Sequence, residues 1–82
     1  SEQINSRSFK VCDGNVEVPH VRIFNKMVHV FKSKELLLID PHKYEQRTIA
    51  HELEAISCVM VCSEGVLVAG TIGNGKYLSY FR

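Results

Sequence analysis

A chain of 82 residues forms at most one small domain, and a domain of that size buries only about 60% of its unfolded surface. Ten Lys and Arg against nine Asp and Glu leave a formal charge of +1, which gives no global pull toward nucleic acid. No apolar run approaches the ~18 residues of a membrane-spanning helix, and the opening SEQINSRSFK lacks the apolar centre of a secretory signal.

In chain order, residues 8–12 read as a short strand that ends in the turn cluster Asp13-Gly14-Asn15. Residues 18–24 read as a strand with Pro19 near its start, where proline is tolerated. Asn25-Lys26 turns, residues 28–31 form a strand, residues 32–35 a polar turn and residues 36–39 another strand. In Asp40-Pro41-His42-Lys43, proline fixes its φ and the aspartate is placed to bond the backbone ahead. Residues 46–50 make a short strand. The connection HELEA, residues 51–55, is too short for an independent helix. Residues 56–62 form a strand, Ser63-Glu64-Gly65 turns, and residues 66–69 form a strand. Gly73-Asn74-Gly75 then turns, with Gly75 expected at positive φ, and residues 77–81 form the last strand. The total is about eight short strands and no helix.

Two stretches share one pattern. Residues 18–40, VPHVRIFNKMVHVFKSKELLLID, align with residues 56–81, ISCVMVCSEGVLVAGTIGNGKYLSYF. The offset begins at 38 (Val18 on Ile56) and becomes 41 after the last turn, where the second copy is read as three residues longer. A period near 40 built from short strands is a signature of propeller blades. The runs at 36–39 and 66–69 are apolar without alternation, as expected where a sheet is covered on both faces.

Three cysteines cannot all pair within one chain. The odd count, without a secretory signal, favours a reducing, cytoplasmic location. Cys58 and Cys62, four apart in a strand-like run, are expected to point the same way and pack as small hydrophobes. The spacing G-x-x-x-x-G-K at residues 70–76 matches a phosphate-binding loop, but Tyr77 stands where Ser or Thr should bind magnesium, and an aromatic strand replaces the helix. His20, His29, His42 and His51 show no metal-binding spacing with Cys12, Cys58 and Cys62. Ser57 and Cys58 near His51 have the residue types of a nucleophile and base, without a supporting local motif. Tyr77, Tyr80 and Phe81 with Lys76 and Arg82 are read as core aromatics at strand spacing in preference to a base-stacking platform. Arg22, Lys26, Lys32 and Lys34 occur with no acid between them, and their functional reading is a weak basic patch facing an acidic partner.

The chain resembles the WD-repeat class of β-propellers, most clearly from His51 to Phe81. A histidine precedes a variable loop, ISCVMVCSEG looks like the inner strand and its turn, VLVAGT like the second strand, GNG like its hairpin and KYLSYF like the third strand. The family's Gly-His pair becomes Ala50-His51, and its Trp-Asp pair falls on Tyr80-Phe81 in one copy and Ile39-Asp40 in the other. The resemblance implies an all-β fold of two antiparallel propeller-type blades. Residues 1–17 would give the outer strand and turn of a preceding blade, 18–50 a first blade, and 51–82 a second blade lacking its outer strand. It implies a structural role for His51, with Thr71, Tyr80 and Asn74 as weak counterparts of the family's tetrad.

Two blades do not close a ring, so other blades or symmetry copies are expected on both sheet faces. The function implied is a non-catalytic scaffold without metal or cofactor, gripping a protein or peptide through its loops. The loop residues singled out are Asp13, Asn15, Glu17, Lys32, Lys34, Glu52 and Glu54. The alternative is a small self-assembling β-protein, with carbohydrate as a ligand, whose copies together complete one ring. A small RNA-binding barrel is disfavoured by the neutral charge and the unalternating strands.

Overall fold

A computed structural model describes residues 4–17 and 19–82; Val18, the expected first residue of a strand, lies outside the described residues. Among these residues the chain is all-β, with seven strands and no helix. They are β1 (His20–Phe24), β2 (Met27–Lys32), β3 (Glu35–Asp40), β4 (Glu45–Ala50), β5 (Ala55–Val61), β6 (Val66–Ile72) and β7 (Gly75–Phe81). A first antiparallel sheet has the order β1-β2-β3-β4, and a second has the order β5-β6-β7.

The turns follow local chemistry. Asn25 and Lys26 both sit at positive φ (51° and 63°), the backbone of a type I′ hairpin whose twist suits the flanking strands. The Asp40 carboxylate accepts from the backbone N–H of His42 at 3.0 Å and of Lys43 at 3.2 Å, as its place before Pro41 predicts. In the β6–β7 hairpin the expectation for Gly75 is corrected. Gly73 holds the positive φ (57°), whereas Gly75 already pairs with Ile72. A Cβ on Gly75 would lie 2.6 Å from the Tyr77 ring, a half-exposed side chain that would have to shift to admit it.

Pairing also corrects the repeat. Phe31 pairs with Leu36, and its counterpart Ala69 pairs with Leu78. The last strands are therefore offset by 42, not 41, because the β6–β7 hairpin is longer by two residues on each arm. One residue of slip would move every side chain of β7 to the other face.

With this register each sheet has two comparable faces. The front of the first sheet presents His29, Phe31, Leu36 and Leu38, and the front of the second presents Leu67, Ala69, Leu78 and Tyr80, with Cys58 and Met60 beside them. The first front packs on the second back. Phe31, Leu36 and Leu38 meet Leu53, Val59, Val66 and Val68 in one buried cluster, and the Phe31 and Phe81 rings cross at 5.1 Å. The sheets thus stack front to back, a heterologous contact in which unlike faces meet.

Residues 8–12 are not a strand. Phe9 and Val11 lie against Val30, Leu37 and Ile39 on the back of the first sheet, and the Lys32 ammonium donates to the Val11 carbonyl at 2.9 Å. The segment covers an apolar face in place of extending an edge. Cys58 is likewise not a core residue. A bulge between Ile56 and Cys58 resets the strand, and Cys58 is exposed on the open front of the second sheet.

Candidate functional site

The connection at residues 51–55 is the structural centre from which the candidate site is built. His51 donates through Nε2 to the Lys32 carbonyl at 2.8 Å, and its Nδ1 accepts from the Leu53 N–H at 3.0 Å, which fixes a neutral ring with the proton on Nε2. Its ring meets Phe81 edge-on at 5.8 Å. The partners of His51 are therefore backbone groups, not Thr71 or Tyr80. With both ring nitrogens engaged, neither faces Cys58 as a base.

Three further bonds lock the connection. The Lys34 N–H donates to the Leu53 carbonyl at 2.8 Å, the His51 N–H to the Lys34 carbonyl at 3.0 Å, and the Glu54 N–H to the Thr71 carbonyl at 2.7 Å. Leu53 itself inserts into the core at 1% exposure. Sequence reasoning passed over it, although a single leucine between two glutamates in a polar loop was the available signal.

Beside this connection lies an open groove of ≈ 850 Å³. Its lining includes Phe31 and Ile56 and brings together Asp13, Glu17, Lys32 and Glu54, four of the seven loop residues singled out from sequence. Glu35 and His20 also line it and were not anticipated. Lys32 is only half-available, because its ammonium bonds Val11 and pairs with Glu35 at 3.4 Å. Asp13 pairs with Lys10 at 2.9 Å, and Glu54 accepts from the Gly73 N–H at 2.6 Å. Glu17 is exposed on the rim.

Asn15, Lys34 and Glu52 are exposed but do not line the groove. Lys34 holds a positive φ of 62° in the β2–β3 turn. The basic run does not make one patch. Lys26 and Lys34 sit at opposite ends of β2, on the order of 20 Å apart at strand rise, and Arg22 bonds its neighbour's carbonyl. The groove lining instead carries four carboxylates, those of Asp13, Glu17, Glu35 and Glu54, of which Asp13 pairs with Lys10 and Glu35 with Lys32.

Among the described residues, no three His, Cys, Asp or Glu side chains converge as a metal set, and no helix is long and apolar enough to cross a membrane. Tyr77 and Tyr80 project from opposite faces of β7, so they form no common stacking surface. The residues of the phosphate-loop spacing lie in β6, its hairpin and the start of β7, where no helix N-terminus faces them.

No family model, no curated protein and no solved structure matches this chain. The architecture is two small antiparallel sheets stacked front to back.

Proposed function

We propose that this chain is a non-catalytic protein-interaction module built as two blades of a β-propeller-type stack. The observation that supports this reading is the uncovered front of the second sheet. On the first sheet, the equivalent face buries Phe31, Leu36 and Leu38 against a neighbouring sheet. On the second, Met60 is 60% exposed and Leu78 70%, with Tyr80 and Cys58 beside them. Contiguous apolar surface of this kind marks an interface. A further sheet presenting a back like that of Val66, Val68 and Phe81 is its natural cover. The groove beside residues 51–55 is then the place for the gripped protein, and its excess of carboxylates suits a basic segment.

Analytical sedimentation and hydrophobic-dye fluorescence of the chain test this reading. Concentration-dependent association and dye binding, both reduced by Met60→Lys, are expected. A dye-silent monomer at all concentrations overturns it.

The alternative, several copies completing one ring, is favoured by the same front-to-back contact, since heterologous contacts close into rings when their rotation permits. A single discrete oligomer in sedimentation selects the ring. A continuous distribution of sizes selects open stacking.

A further inference from the structure

One wall of the groove beside residues 51–55 is held in place from two sides. The Glu54 N–H donates to the Thr71 carbonyl at 2.7 Å, and the Glu54 carboxylate accepts from the Gly73 N–H at 2.6 Å. Ala55 follows with its carbonyl against Gly70, where a Cβ would find no room, so the start of β5 lies directly on β6. Another part of the lining is the turn at residues 13–16, closed by the Val16 N–H on the Asp13 carbonyl at 3.1 Å. Val16, Pro19, Ala55 and Ile56 make much of the lining apolar. The volume of ≈ 850 Å³ falls within the range of about 300–1,000 Å³ typical of ligand clefts.

Charge then separates the carboxylates into two kinds. Asp13 and Glu35 already hold ammonium groups of the chain itself, those of Lys10 at 2.9 Å and Lys32 at 3.4 Å. Among the described residues, Glu17 and Glu54 hold no such cation. We infer that the groove is a docking site for a short segment of another protein in which an apolar stretch is bounded by basic residues. The apolar side chains lie against Val16, Pro19 and Ile56, and the cations pair with Glu17 and Glu54. This inference rests on the reading of the chain as a protein-interaction module and names the chemistry of the segment gripped. Complementary charge selects such a segment and rejects acidic ones, and the fixed wall needs little ordering when it binds.

The probe is a labelled, end-blocked synthetic peptide, RVLVR, with EVLVE and RSGSR as its controls. Saturable binding of RVLVR to the whole chain is expected, weakened by salt, with slowed amide exchange at residues 31–35 and 54–56. EVLVE does not bind, and RSGSR binds about tenfold more weakly because it buries no apolar side chain. Glu17→Gln and Glu54→Gln each weaken RVLVR by about two- to fivefold, as exposed ion pairs do. Glu54→Gln keeps an oxygen for the Gly73 N–H, so the wall stays in place. Glu64→Gln makes the same charge change in the β5–β6 turn, away from the groove, and leaves binding within about twofold.

Equal loss with Glu64→Gln, or equal affinity for RSGSR, shows general charge attraction and overturns the proposal. Equal affinity for EVLVE, or protection at residues 58–60 and 78–80 in place of the groove, shows adhesion to the bare front of the second sheet and also overturns it. So does a peptide-free dimer abolished by Glu17→Gln, which assigns the groove to a second copy. Absence of binding overturns it outright. Failure of the stacking reading is separate, since it appears in dye binding and sedimentation of Met60→Lys without peptide.

Discussion

The Glu54 carboxylate and the Gly73 backbone N–H are joined by a 2.6 Å hydrogen bond. Glu54 lies in the connection between the sheets, and Gly73 at the tip of the β6–β7 hairpin. One side chain therefore ties the crossing between sheets to the most extended turn of the second sheet. The bond is charge-assisted, but Glu54 is exposed, so water competes for both partners.

Glu54→Ala is expected to cost about 1 kcal/mol, below the range for buried charged hydrogen bonds because of that exposure. Urea unfolding gives the magnitude, and exchange of the Gly73 amide gives the location. If exchange at Gly73 is unaltered, the bond has no role in solution.

His51→Ala removes the acceptor of the Leu53 N–H at the point where Leu53 enters the core. A buried amide left without a partner costs about 1–3 kcal/mol. The fall in urea midpoint should exceed that of Glu54→Ala. A smaller effect would mean that another acceptor replaces the imidazole.

Lys26 occupies the second position of a type I′ turn at φ 63°, where a side chain is strained. Lys26→Gly turns Asn25-Lys26 into Asn-Gly, the preferred pair for this hairpin. Relief of strain outweighs the extra chain entropy of glycine, and a gain of up to about 1 kcal/mol is expected. A lower thermal midpoint would contradict the turn assignment.

Phe31 is the largest fully buried side chain, in contact with Phe81 and the inter-sheet cluster. Phe31→Ala is expected to cost about 3–5 kcal/mol, comparable to the whole stability of a small domain. Far-ultraviolet circular dichroism should then report a largely unfolded chain at 25 °C. Ala69, the equivalent residue on the uncovered front, offers a contrast. Ala69→Ser should change stability by less than about 0.5 kcal/mol, as expected of a site outside the core.

The strands were legible because each is bounded by a turn whose chemistry is local, as Asn25-Lys26 and Asp40-Pro41 illustrate. The role of residues 8–12 was not, because Phe9 and Val11 alternate equally well in a paired strand and in a segment lying across a face. The triplet Gly73-Asn74-Gly75 permits two placements of a two-residue turn, and only the pairing of Ile72 with Gly75 decides between them. The same ambiguity concealed the fourth extra residue of the second copy.

In the candidate site, Asp13, Glu17, Lys32 and Glu54 were readable as loop or loop-edge residues, and the structure gathers them around one groove. That Lys32 and Glu54 bond the backbone of distant segments was not readable, since Val11 reaches Lys32 only where its segment crosses the back of the first sheet, and Gly73 reaches Glu54 only through the pairing of β5 with β6. Glu35 and His20 were missed because each lies in a strand, and the pairing of β1 with β2 and of β2 with β3 is what sets them beside Phe31 and Lys32.

The segment bearing Phe9 and Val11 gives the molecule a polarity. It seals the back of the first sheet without joining any ladder, while the front of the second sheet stays bare. Copies joined front to back would form a column with unlike ends, able to grow only where a bare front meets an unsealed back. Each incoming copy would have to release its own seal before it could be added. The rate of growth would then follow the detachment of a short segment held by Phe9, Val11, the Lys32 hydrogen bond and the Arg7 guanidinium over the Tyr44 ring, and Phe9→Asp would accelerate it by lifting the seal in advance.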